Sequence, residues 1–133
     1  MLFVDASAFY SRQARRDVYH QAALSIWADL EEVSLITSNH VIEETLTLLA
    51  RRLGYAFAAD MATRFYSSKK LDIIAASRED ELNAIHYFRK FADQSISFTD
   101  CISFAIMKRN LISTAFTFDR HFQQAGFNVI GLQ

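Results

Sequence analysis

Short apolar runs alternate along this chain with longer stretches in which apolar residues recur at helical spacing. MLFV at 1–4 ends on Asp5 and predicts a short buried strand. Leu24, Trp27 and Leu30 recur at intervals of three and predict a helix over 17–31. VSLIT at 33–37 is short and β-branched, which favours a strand. Ser38 or Asn39 can then cap a helix running to Leu53, with Gly54 to end it, and a further helix is expected over 55–68. LDIIAA at 71–76 fits either a third strand or the entry to a helix. Ser77, with Asp80 three residues on, resembles a capping box for a helix over 78–92. Thr99 is the expected cap of a helix over 100–109. LISTAFTF at 111–118 predicts a strand, followed directly by Asp119. A short helix then ends near Gly126, and NVIGL closes the pattern as a last strand. Strands alternating with helices predict an α/β fold with a mainly parallel sheet covered on both faces. In such sheets the functional crevice lies outside the carboxyl ends of the strands.

Composition narrows the picture. At 133 residues the chain suits one domain, 1–133, and 51% apolar residues with 12 phenylalanines can fill a core. There is no proline, there are only three glycines, and no linker or repeat suggests a boundary. A net charge of −1 excludes retention on nucleic acid by bulk electrostatics, so contact with RNA would need a local patch or a bridging metal. The single cysteine, Cys101, rules out an internal disulfide framework and fits a reducing compartment. No apolar stretch approaches the roughly 20 residues of a membrane span. The N-terminus carries no basic region before its apolar run and does not read as a signal peptide. The expectation is a soluble, cytoplasmic protein.

The crevice rule makes the acids informative. Asp5 follows the first strand, Asp119 follows the strand at 111–118, and Asp100 opens a helix. Glu43 and Glu44 lie in the first turns of the helix after the second strand, within reach of the same edge. Carboxylates converging in one place repel one another unless protons or cations neutralise them. Hard oxygen ligands without matching Cys or His select Mg²⁺ or Mn²⁺, metals that also bind substrate phosphates. That chemistry suits hydrolysis of phosphodiesters. The plainer alternatives are solvated surface acids, an N-cap at Asp5 and a dipole-favoured helix start at Asp100. Spacing alone does not separate these from a metal site.

FVDASAFY, NHVIEETLTLLARR, SFTDCISFAIMKRN and FTFDRHFQQAGF resemble, in order, the four acidic motifs of the PIN-domain family. Together they span residues 3 to 127, and SFTD and FDRHF are the more specific. The chain looks most like the toxins of VapBC-type toxin–antitoxin modules and their stand-alone relatives. The resemblance implies an Mg²⁺- or Mn²⁺-dependent endoribonuclease on a three-layer α/β/α sandwich. It also implies an antitoxin protein as partner, and a homodimer is expected. The family's acids map onto Asp5, Asp100 and Asp119, with a glutamate from the second motif. Leu49, Arg51 and Arg52 follow at the family's spacing if that glutamate is Glu44, whereas a helical wheel does not separate Glu44 from Glu43. Ser7, Thr99 and Thr117 resemble the family's supporting hydroxyls, which orient carboxylates or metal-bound waters. For Thr99 a plain helix cap is the alternative. Some family members carry another acid two residues after the last aspartate; here that position is His121, which implies a second metal held weakly or brought with substrate.

The remaining candidates read more plainly. His20, His40, His86 and His121 show no metal-ligand spacing, so no zinc site is expected. His121 reads as a surface histidine, with contact to a phosphate as the alternative. Cys101 has no base partner in the sequence and reads as a small buried hydrophobe. Arg12, Arg15, Arg16, Arg51, Arg52, Lys108 and Arg109 read as a solvated charged face, with RNA phosphate contacts as the alternative. Aromatics at helical spacing, Phe57, Phe65, Tyr66, Tyr87, Phe88 and Phe91, are mostly core, and any surplus would mark an interface. Two other functions compete: a haloacid-dehalogenase-type phosphatase, and a non-catalytic RNA- or protein-binding module on the same fold. The phosphatase chemistry wants a second aspartate two residues after the first, where Ser7 stands. The presence of all four acids argues against the binding module.

Overall fold

The computed structural model describes residues 1–132. Five strands, β1 (Leu2–Val4), β2 (Leu35–Ser38), β3 (Leu71–Ile74), β4 (Thr114–Phe116) and β5 (Asn128–Ile130), form one sheet. Their order is β3-β2-β1-β4-β5 and every pairing is parallel. The helices are α1 (Ala6–Gln13), α2 (His20–Ala28), α3 (Asn39–Leu53), α4 (Tyr55–Ser67), α5 (Arg78–Lys90), α6 (Phe98–Arg109) and α7 (His121–Gln124). The chain moves outward from β1 to β2 and β3, then returns to the other side of β1 for β4 and β5. Right-handed crossovers in the two directions put helices on both faces: α1–α4 pack among themselves on one, α5–α7 on the other. The result is the expected three-layer α/β/α sandwich. The strand order reverses between β1 and β4, which is where an open α/β sheet opens a crevice at its carboxyl edge.

The core that fixes this edge is aromatic. Phe3 and Phe116 are fully buried on neighbouring strands, and Phe104 of α6 meets Phe122 of α7 edge-on at 5.1 Å. Burying each such ring contributes about 2–3 kcal/mol, so α6 and α7 are held firmly against the strands whose ends carry acids.

Several boundaries differ from the sequence reading, each for a local reason. Helix α1 was not anticipated; its residues alternate small, polar and aromatic without a clear apolar stripe. The helix expected over 17–31 starts only at His20 because the Asp17 carboxylate accepts from Ser11 Oγ (2.8 Å) and from the Tyr19 backbone N–H (3.0 Å), which closes a turn. Leu24, one of the three residues that suggested it, is exposed. Of the 71–76 segment, Leu71–Ile74 form a strand and the last two residues lie beyond it. The strand expected over 111–118 shrinks to 114–116: Leu111 adopts φ +56° and the Ile112 N–H returns to the Met107 carbonyl, so its first residues finish α6. Helix α6 begins at Phe98, two residues earlier than expected, because Ser97 is its cap and accepts from the Asp100 N–H at 3.1 Å. Thr99 is therefore inside the helix. The Ser77–Asp80 capping box is present, as are the Ser38 cap of α3 and the stop at Gly54, whose φ of +100° favours glycine.

Candidate active site

Asp5 and Asp119 leave the ends of the adjacent strands β1 and β4, Asp100 sits in the first turn of α6, and Glu44 in the second turn of α3. All four line one cleft of about 780 Å³ at the carboxyl edge of the sheet. Glu43 points away, 3.8 Å from His40 Nδ1, so of the two glutamates Glu44 joins the aspartates.

The Asp5 carboxylate is held by one oxygen. Its Oδ2 accepts from Thr117 Oγ1 at 2.7 Å and from Ser7 Oγ at 3.3 Å. Those hydroxyls lie 3.1 Å apart, and each is fixed by the backbone of the loop after β4: Phe118 N–H donates to Ser7 Oγ, and Asp119 N–H to Thr117 Oγ1. The other oxygen, Asp5 Oδ1, is buried and is the one buried side-chain polar atom among the described residues without a hydrogen-bond partner. An unsatisfied buried oxygen of this kind costs about 1–3 kcal/mol. Thr99 does not join this network; it lines a neighbouring depression with His40, Glu43 and Arg51.

The electrostatics follow from burial and crowding. Asp5 is 4% exposed, and its pKa is raised chiefly by burial, with Asp119 adding to the shift while Thr117 opposes it. Asp100 is pushed up to about 9, first by burial and then by Asp5, Asp119 and Glu44. Glu44 is raised by its partial burial and by Asp5 and Asp119. Cys101, behind Asp100, is buried and its thiol is raised to about 11, consistent with a small hydrophobe. Three carboxyls raised by burial and by neighbouring acids mark a site lacking positive charge.

His121 corrects the sequence reading. It is not a bystander on the surface: Nδ1 lies 3.0 Å from Asp100 Oδ2 and 3.3 Å from Asp119 Oδ2, and its backbone N–H donates to Asp119 Oδ1 at 2.9 Å. The signal available in the sequence was the Asp-x-His spacing at the start of a helix. Ser97 was also missed, because Thr99 is an equally good hydroxyl cap by type.

The donor set fits a hard divalent cation. Four carboxylates face one cleft, and the orphaned Asp5 Oδ1 is an oxygen ligand in want of a partner.

A family model for the PIN domain matches residues 2–128, and the chain belongs to the PIN domain family. This is the family that the four acidic motifs suggested. The 23S rRNA-specific endonuclease VapC20 of Mycobacterium tuberculosis is 36% identical over 128 residues, covering 96% of this chain and 95% of that protein. Its crystal structure, described as that of a sarcin–ricin loop cleaving toxin, matches with a TM-score of 0.89 and covers 96% of each chain. A VapC ribonuclease of Archaeoglobus fulgidus is 30% identical over 118 residues, 83% of this chain and 74% of the relative. FitAcB of Neisseria gonorrhoeae, at 16% identity, shares the fold with a TM-score of 0.73, covering 98% of this chain and 96% of its own.

Proposed function

We propose that this chain is a metal-dependent endoribonuclease that hydrolyses RNA phosphodiester bonds and serves as the toxin of a toxin–antitoxin module. The observation that carries the reading is the convergence of Asp5, Glu44, Asp100 and Asp119 on one cleft, with Asp5 Oδ1 buried and unpartnered. The names of the relatives, endonuclease and ribonuclease, support it. The phosphatase alternative is weaker: the position two residues after Asp5 holds Ser7, whose hydroxyl is spent on Asp5 and on the Phe118 N–H.

In this reading Asp5, Asp100, Asp119 and Glu44 hold Mg²⁺ or Mn²⁺. When bound, such a cation supplies Lewis-acid polarisation of the phosphate and makes a bound water easier to deprotonate. The chain's own residues do the rest. Thr117 and Ser7 fix Asp5 Oδ2, which leaves Oδ1 without a partner in the protein. Without a cation the four carboxylates would repel an approaching phosphodiester, so metal loading and RNA binding are coupled. Arg120, exposed at the mouth of the cleft, is placed to meet a backbone phosphate.

The proposed protein partner is an antitoxin that masks the cleft, with a basic side chain inserted among the acids in place of the metal charge. Leu82, Ile85 and Phe88 stand exposed on α5, a face suited to a second copy in a homodimer. Residues 1–133 are read as one nuclease domain acting in the cytoplasm.

A panel of substrates tests the class of reaction. With Mn²⁺ or Mg²⁺, single-stranded and structured RNA should be cut internally, while DNA and a phosphate monoester should survive. Turnover of the monoester with intact RNA would favour the phosphatase. Expression alone should slow growth, and co-expression of an adjacent small gene should relieve it. Harmless overexpression of protein shown to be active would count against the toxin role alone.

A further inference from the structure

His121 stands among oxygen ligands, and its geometry is that of a ligand as well as of a hydrogen-bonding group. Asp100, Asp119 and His121 present ligand atoms that all lie within 4.8 Å of one another. The imidazole Nδ1 is 3.0 Å from Asp100 Oδ2 and 3.3 Å from Asp119 Oδ2. Two ligands at right angles, each about 2.1 Å from one octahedral cation, are separated by about 3 Å. Nδ1 therefore stands from each of the two oxygens at about the separation of neighbouring ligands on one ion. The backbone that carries the ring is pinned at the edge of the cleft. The His121 N–H is tied to Asp119 Oδ1 at 2.9 Å, and the next residue, Phe122, is fully buried against Phe3 and Phe104. A second, independent feature points to a cation in the same cleft: Asp5 Oδ1, buried and without a partner.

We propose that His121 supplies a nitrogen ligand, through Nδ1, to a cation held in the acidic cleft, and that this nitrogen shifts the site away from Mg²⁺ and toward transition metals. The inference rests on the reading of the cleft as a metal site and adds to it the identity of one ligand and a metal preference. The reason is chemical. Mg²⁺ demands hard oxygen donors, whereas imidazole favours first-row transition ions. In the metal-free chain the same nitrogen serves as the hydrogen-bonding partner of Asp100. With its proton on Nε2, the imidazole would offer the Nδ1 lone pair to a cation held beside Asp100 and Asp119. A carboxylate at this position would add charge instead and make the ligand set all oxygen, which suits Mg²⁺.

Mn²⁺ alone is the probe, since it is paramagnetic and needs no RNA. The full chain with one equivalent of Mn²⁺ is examined by pulsed electron paramagnetic resonance for nitrogen-14 modulation, and Mn²⁺ and Mg²⁺ affinities are measured by calorimetry. Wild-type protein and His40→Asn should show directly coordinated nitrogen. His121→Asn and His121→Asp should lose it, and in His121→Asp the preference for Mn²⁺ over Mg²⁺ should fall about tenfold. Circular dichroism of both variants guards against misfolding, which a partly exposed side chain does not invite. Bound Mn²⁺ without nitrogen modulation in the wild type, or modulation that survives in His121→Asn, overturns the role of His121 and leaves the carboxylate site standing. Absence of Mn²⁺ binding, or binding unaffected by Asp5→Asn, overturns both.

Discussion

Asp100→Asn separates a carboxylate that is costly without metal from one that merely supports its helix. Asp100 is 5% exposed, and burial with its acidic neighbours holds its carboxyl at about 9, against 3.8 for an ordinary aspartate. Between those values the folded chain binds a proton that the unfolded chain has released. The metal-free fold therefore loses stability as pH rises from about 4 to about 9. At pH 7 the folded state must take up a proton across about three pH units, and at about 1.4 kcal/mol per unit the ceiling is about 4 kcal/mol. Asparagine needs no proton. The substitution gives up a favourable helix-dipole contact worth about 0.3–1 kcal/mol, and part of the proton uptake is shared with Asp5 and Glu44. The expected net gain is about 1–3 kcal/mol, or roughly 4–12 °C in melting temperature for a domain of this size. Thermal melts in EDTA at pH 5, 7 and 8.5 should show Asp100→Asn above wild type at pH 7 and 8.5, with the gap narrowing at pH 5. Saturating Mn²⁺ should reverse the order, because the wild type gains binding energy that the variant cannot match. A variant less stable than wild type in EDTA at every pH, and stabilised equally by Mn²⁺, would refute the reasoning.

Other perturbations read out the supports of the site and the frame beneath it. Thr117→Val removes the 2.7 Å anchor of Asp5 Oδ2, so Mn²⁺ affinity should fall about 10–100-fold by calorimetry. Gly131→Ala sets a methyl group against the Thr117 carbonyl at a φ of +123°; urea unfolding should show a loss above about 2 kcal/mol. Asp80 is fully buried and held below the usual carboxylate range chiefly by its paired bonds from Arg109 (2.7 and 2.9 Å). Its contribution is present above the unfolded carboxylate pKa and lost as pH falls through the lower folded value, so Asp80→Asn should cost about 1–3 kcal/mol at pH 7 and less below pH 3.

What was legible in the sequence was whatever depends on short-range order. Asp5 and Asp119 could be placed because each follows an apolar run, and the parallel pairing of β1 with β4 makes those two ends neighbours. Ser38, the Ser77–Asp80 box and Gly54 are local devices that work within four residues, and they stand where they were expected. Glu44 was separated from Glu43 only by the family's spacing, since both flank the apolar stripe of α3. The choice depends on the direction in which α3 leaves β2 toward Asp5. His121 was illegible for a similar reason. Its partner Asp100 is 21 residues away on another helix, and the two meet only because Phe104 and Phe122 dock α7 on α6. Helix α1 was hidden by its own composition: what holds it is tertiary, with Ala8 and Phe9 buried and the Ala8 carbonyl taken by Trp27 Nε1.

The central claim is that the cleft cuts RNA through a cation held by Asp5 and its neighbours. Its most direct test is a single-turnover cleavage assay on one end-labelled RNA, using metal-stripped protein titrated with Mn²⁺, wild type beside Asp5→Asn. The account predicts no cutting in EDTA, cutting by the wild type that saturates with Mn²⁺, and a rate lower by orders of magnitude in Asp5→Asn at the same Mn²⁺. Cleavage by the stripped protein in EDTA, or an Asp5→Asn rate near that of the wild type, would contradict it.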